Sequence, residues 1–125
     1  MKNKTTIEEK NENKETVENL VKNNKDNMVT TTQLRQLLSN SVIVKNKISS
    51  KILKKKDKLS DVLLNDVKYL LIKHTYQCGR EFKVKEFDKK FEISEKLKKI
   101  KTKEDFDIFY RYLEEIVAYV KYYIG

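Results

Sequence analysis

From Leu34 onward apolar side chains recur every three or four residues, the spacing of one helix face, and no stretch alternates apolar with polar as a half-buried strand does. Leu34, Leu37, Leu38, Val44 and Ile48 mark the first stripe. It follows Thr30-Thr31-Thr32-Gln33, a capping-box pattern in which Thr30 and Gln33 satisfy orphan amides at a helix start. Ser49 and Ser50 loosen the stripe, and seven lysines between Lys45 and Lys58 accompany few apolar residues, which predicts a frayed helix end and an exposed loop. A second helix is predicted from Ser60, the candidate N-cap, to near Arg80. At about 100° per residue, Leu63, Val67, Leu70, Leu71, His74 and Cys78 share one face of it. Tyr69, Lys73, Tyr76 and Arg80 form a single row on the opposite side, with Gln77 beside them. Phe82, Val84, Phe87 and Phe91 follow at spacings that predict a short helix or turn pinned by aromatics rather than one clean helix, and Ser94 to Ile100 predicts another short helix. The last helix starts at Thr102, with Glu104 and Asp105 in a first turn where carboxylates suit the positive helix end. Its stripe of Phe106, Phe109, Leu113, Ile116, Val117, Val120 and Ile124 is expected to be the central rod of the core, flanked by a half-buried line of Tyr112, Tyr119 and Tyr123.

Residues 1–27 change the picture at the other end. Ile7, Val17, Leu20 and Val21 are almost their only apolar side chains, so they read as a flexible leader, disordered or partly helical, that cannot offset the entropy of ordering. Residues 28–125 form the helical domain. The 125 residues contain no proline and two glycines, Gly79 and Gly125, so little interrupts long helices. The expected fold is all-α, a compact bundle of about four to five helices behind the leader.

Net charge is +9, and all of the excess lies in the helical domain, where 22 basic residues face 13 acidic ones; the leader balances six against six. A basic folded part favours a polyanionic partner, nucleic acid before membrane, because no helix pairs a basic face with an exposed apolar one. A solvated lysine-rich surface is an equal alternative on charge alone. No apolar run is long enough to cross a bilayer, the start lacks a signal segment, and one cysteine allows no internal disulfide; a cytoplasmic protein is expected.

Candidate chemistry is sparse. His74, the only histidine, sits in mid apolar face and reads as a hydrogen-bonded core imidazole before a general base. Cys78, one turn on, reads as a small core residue. No metal motif, phosphate-cradling glycine loop or nucleophile elbow is present, so no catalytic residue, metal or cofactor is expected. Gly79 inside the helical pattern indicates close approach of another backbone, or else a helix end. The row beside it, with a guanidinium, a phenol and an amide, suits a phosphate or ribose pressed against the helix; ordinary surface residues at a capped end are the alternative.

Four blocks then occur in order: Thr32-Gln33-Leu34-Arg35-Gln36-Leu37-Leu38, Tyr69-Leu70-Leu71-Ile72-Lys73, Tyr76-Gln77-Cys78-Gly79-Arg80-Glu81 with Val84-Lys85-Glu86-Phe87, and Phe109 to Tyr123 ending Ile116-Val117-Ala118-Tyr119-Val120-Lys121-Tyr122-Tyr123. Together they resemble the small subunits of type III-A CRISPR-Cas (Csm) effector complexes, over roughly residues 28–125. Val120 stands where that family often has His, and Cys78 where it often has Ala. The resemblance implies a non-catalytic helical bundle, present in several copies stacked on one another beside the backbone subunits, with guide RNA and target RNA as partners contacted through phosphates and sugars. Arg35, Tyr69, Lys73, Tyr76, Gln77, Arg80, Lys85 and Lys121 are the candidate RNA-binding residues. A self-associating helical protein without RNA contact, and a small ribonuclease using His74 with Lys73 or Arg80, are the competing readings.

Overall fold

The computed structural model describes residues 16–125, which contain six α-helices and no strand. They are α1 (Val17–Asn23), α2 (Thr31–Ser49), α3 (Asp61–Arg80), α4 (Phe82–Phe91), α5 (Ile93–Lys98) and α6 (Lys103–Tyr123), with a single 3-10 turn, Lys25–Asn27, after α1. The all-helical expectation holds.

Local chemistry sets most of the boundaries. At the start of α2 the Thr30 hydroxyl accepts from the Gln33 amide at 3.1 Å, and the Gln33 side chain accepts from the Thr30 amide at 3.0 Å. Thr102 and Asp105 repeat the reciprocal arrangement at α6, and the Ser60 hydroxyl caps α3 by accepting from Leu63. Burial pushes the Asp105 carboxyl up, but the amides of Lys101 and Thr102, the Thr102 hydroxyl and the Lys101 charge outweigh it and hold the group below the usual carboxylate value. Glu92 takes the left-handed conformation, φ 56° and ψ 39°, and this reversal lets α5 follow α4 directly.

α6 is the rod of the core. Phe106, Leu113 and Ile116 are wholly buried, Phe109 and Val120 almost so, and full burial of one such side chain contributes about 1.5–3 kcal/mol. α1 and α2 pack on α6; α2 also packs on α3, and α3 packs on α4 and α5, which reach back to α6 where the Tyr112 hydroxyl donates to Phe91 O at 2.8 Å. α2 and α3 run in opposite directions, as the Lys47–Asp66 ion pair near one end and the approach of Gln36 to Gln77 near the other require.

Three sequence expectations change here. First, Val17–Asn23 is docked on α6: Val21 is 0 % exposed, and the Tyr123 hydroxyl donates to Glu18. The leader residues from Thr16 to Asn27 therefore contribute to the core, because one well-placed valine and the tyrosine line of α6 supply the apolar surface that composition alone hides. Residues 1–15 lie outside the described part. Second, Phe82–Phe91 is one helix; Val84, Phe87 and Phe91 are three and four apart and buried, whereas Phe82, which blurred the pattern, is exposed. Third, α2 runs without fraying to Ser49, with Ile48 buried, while the lysine-rich segment after it is the exposed loop expected and has its backbone held in place. Its backbone joins the start of α6 through Leu59 N–H to Lys101 O at 2.9 Å, Lys103 N–H to Asp57 O at 3.0 Å and Glu104 N–H to Lys55 O at 2.8 Å, while the lysine side chains stay in solvent.

Candidate nucleic-acid interface

On α3, Leu63, Val67, Leu70 and His74 point into the core. With 3.6 residues per turn, Tyr69, Lys73, Tyr76 and Arg80 form a row about 120° round the helix from that face, and all four are exposed, the two tyrosines by 59 % and 65 %. Lys73 Nζ lies 4.7 Å from the centroid of the Tyr69 ring, a cation–π contact that orders the row. Gln77 is half-buried beside them.

The row borders a groove between α2 and α3 of about 330 Å³, lined by Gln36, Asn40, Tyr69, Ile72, Lys73, Tyr76 and Gln77. A narrower recess adjoins it over a floor of Leu34, Leu37, Leu70, Val84 and Phe87, and shares Gln36, Asn40, Lys73 and Gln77 with it. Lys73 and the amides therefore stand over an apolar floor with the two phenols in the adjoining groove, a set able to hold an anionic oxygen and a flat ring together.

The structure brings together Tyr69, Lys73, Tyr76, Gln77 and Arg80. Lys85 is exposed just past the end of α3, near enough to Cys78 for its charge to act on that thiol. Arg35 and Lys121 are exposed elsewhere. Lys45 of α2 sits 4.7 Å from the Tyr110 ring of α6, marking the α2/α6 side of the bundle. Arg35 and Lys121 do not line the groove. Gly79 does not mark a close approach within the chain: it is helical, and a Cβ built there meets nothing within 4 Å.

His74 is the polar centre behind the row. It is 4 % exposed, and its Nε2 lies 2.9 Å from Asp88 Oδ1 of α4. Asp88 Oδ1 also accepts from the Ser94 amide and hydroxyl, each at 2.8 Å, at the start of α5. Burial pushes Asp88 up, yet the Ser94 hydroxyl, the Ser94 amide and His74 outweigh it and hold the carboxyl below its usual value. The Cys78 sulfur is 3.6 Å from His74 Nε2; burial first, and then the Asp88 charge, push its thiol up to about 11, against a smaller opposite effect of Lys85. Sequence reasoning anticipated a hydrogen-bonded core histidine but missed Asp88 and Ser94, because partners 14 and 20 residues away leave no periodic signal.

Among the described residues no helix is long and apolar enough to cross a membrane. The family model described as Csm2 Type III-A matches residues 6–125. The chain is 44 % identical over 107 residues to the CRISPR system Cms protein Csm2 of Streptococcus thermophilus, a match covering 85 % of this chain and 83 % of that protein. It is 33 % identical over 101 residues to the protein of the same name from Enterococcus italicus, covering 78 % and 69 %. The resemblance carried by the four sequence blocks is thereby shown, and the chain belongs to the Csm2 family of type III-A CRISPR systems, the small subunit of the Csm complex.

Proposed function

We propose that the protein is a non-catalytic clamp in a cytoplasmic Csm complex, holding the backbones of guide and target RNA without reading their sequence and stacking on neighbouring copies of itself. The observation that carries this is the α3 row: two exposed tyrosines and a lysine edging a groove rich in amides, with exposed Arg80 continuing the row one turn on. Lys73 and Arg80 suit phosphates, the tyrosines and Gln77 suit riboses and ring faces, and none of these contacts requires a particular base. A subunit that must work with any guide gains by ignoring base identity, since pairing supplies it. Arg35, Lys85 and Lys121 extend the basic surface round the bundle. Catalysis is not part of the proposal, because the one imidazole is buried and engaged with Asp88.

The test is a salt titration of single-stranded RNA binding for Lys73→Ala and Arg80→Ala, with Lys89→Ala and Lys98→Ala, which pair with Glu86 and Glu95, as equal-charge controls. Each row substitution is expected to weaken binding and flatten the slope of log affinity against log salt by about 0.7, the controls by much less, and the bound RNA should be recovered intact. Equal losses from both sets would reduce the binding to diffuse attraction. No loss from the row, in a folded variant that still assembles, would favour a protein-contact surface, a reading that exposed Ile43 and Ile72 near the same groove supports.

A further inference from the structure

Between α3 and α4 three side chains of different chemistry aim at one point. His74 Nε2, Cys78 Sγ and Asp88 Oδ1 all lie within 4.8 Å of one another, with 2.9 Å between nitrogen and oxygen and 3.6 Å between sulfur and nitrogen. His74 and Cys78 are one turn apart on α3 and so share a face; Asp88 comes from α4, and Ser94 holds its carboxylate through two hydrogen bonds. A tetrahedral zinc ion binds sulfur at about 2.3 Å and nitrogen or oxygen at about 2.0–2.2 Å, which sets ligand edges of roughly 3.6 Å for sulfur to nitrogen and roughly 3.3 Å for nitrogen to oxygen. The first edge is already present, the second needs the carboxylate to withdraw by about 0.4 Å, and the sulfur-to-oxygen edge, also roughly 3.6 Å in such an ion, has to close from a separation of up to 4.8 Å. Ser94 supplies the kind of outer hydrogen bonding that orients carboxylates around metals.

We infer that His74, Cys78 and Asp88 form a binding site for a zinc-like divalent cation, with a fourth position left to water, and that the bound ion ties α3 to α4. Binding breaks the Cys78 S–H bond; the sulfur electron pair goes to the metal and the proton to the buffer. The Nε2–H that donates to Asp88 gives its proton to solvent while Nδ1 takes one up, so the neutral ring offers its Nε2 lone pair and the ion takes the place of the His74–Asp88 hydrogen bond. Burial and the Asp88 charge, which keep the thiol protonated without a cation, are both countered by a divalent charge beside the sulfur. The Lys85 charge opposes the cation and limits affinity. Half-burial of Cys78 and Asp88 leaves an entry path.

The experiment uses the full chain, freed of any affinity tag, titrated with cobalt(II) under reducing conditions. One equivalent should bind, with near-ultraviolet thiolate-to-cobalt charge transfer and visible bands of a tetrahedral ion, bleached by zinc. Zinc alone should raise the thermal midpoint by several degrees. Cys78→Ala should abolish the charge-transfer band and most of the midpoint shift, and Asp88→Asn, which keeps shape, should weaken cobalt binding at least tenfold. Circular dichroism at room temperature should show both variants helical. A wild-type chain that binds no cobalt overturns the site, as does a spectrum that persists unchanged in both variants. RNA binding is not read in this experiment, so its outcome is independent of the clamp.

Discussion

Replacing Val21 by alanine tests the point at which the fold departs most from the sequence pattern. Val21 is the one side chain of α1 that is 0 % exposed, and the change removes about two methylene equivalents at roughly 0.8 kcal/mol each, plus a cavity contribution where α1 meets α6. The expected loss is about 2 kcal/mol, or about 6–10 °C in the thermal midpoint for a domain of this size. Collapse is restricted there, because Tyr123 is tied to Glu18 and lies beneath Lys22 and Lys25, whose ammonium groups are 5.4 Å and 5.6 Å from its ring. The assay is thermal unfolding followed by circular dichroism, alongside Asn19→Ala, an exposed position on the same helix where the change should stay within about 0.5 kcal/mol. If the two variants melt together, α1 is not docked on α6 in solution and the reasoning fails.

Two further outcomes follow from caps and glycine. Gly79→Ala fills open space inside α3, so it should stabilise the isolated chain by about 0.5–1 kcal/mol, a rise of a few degrees in midpoint; a fall in midpoint would mean that the helix is strained there. Asp105 titrates below its ordinary value of 3.8 in the folded protein, so its contribution is complete above that value and disappears as pH drops through the lower folded value. Acid unfolding curves for Asp105→Asn should therefore lie below wild type at neutral pH and converge with it in strong acid, and parallel curves throughout would refute the assignment.

Features written in a few neighbouring residues were legible in the sequence. Thr30 with Gln33, Thr102 with Asp105, and Ser60 each announce a helix start because their hydrogen bonds close over three residues. The α3 row was legible for a similar reason, since a constant angular step converts spacing into position. What stayed hidden depends on distant partners. Val21 becomes core only because α6 returns beside it 90 or more residues later, and the lysine-rich segment is ordered only because Lys101 to Glu104 receive its backbone. Asp88 looked like one acid among many until α4 turned it toward His74. Phe82 misled in the other direction: its size signals burial, yet it stands 74 % exposed at the first turn of α4. Arg35 and Lys121 share a sign with the α3 row but do not line the groove beside it, a distinction that needs the packing of α2 against α3.

The two sides of α3 answer to different demands. Leu63, Val67, Leu70 and His74 hold the bundle together, and a change in any of them moves the protein toward the threshold where it no longer folds. Tyr69, Tyr76 and Arg80 stand in solvent, where most substitutions cost little stability. A lineage can therefore rewrite what this helix touches while keeping what it rests on, and the evolutionary rate along α3 should rise and fall with a period of 3.6 residues unless a partner constrains the outer side as tightly as the core constrains the inner.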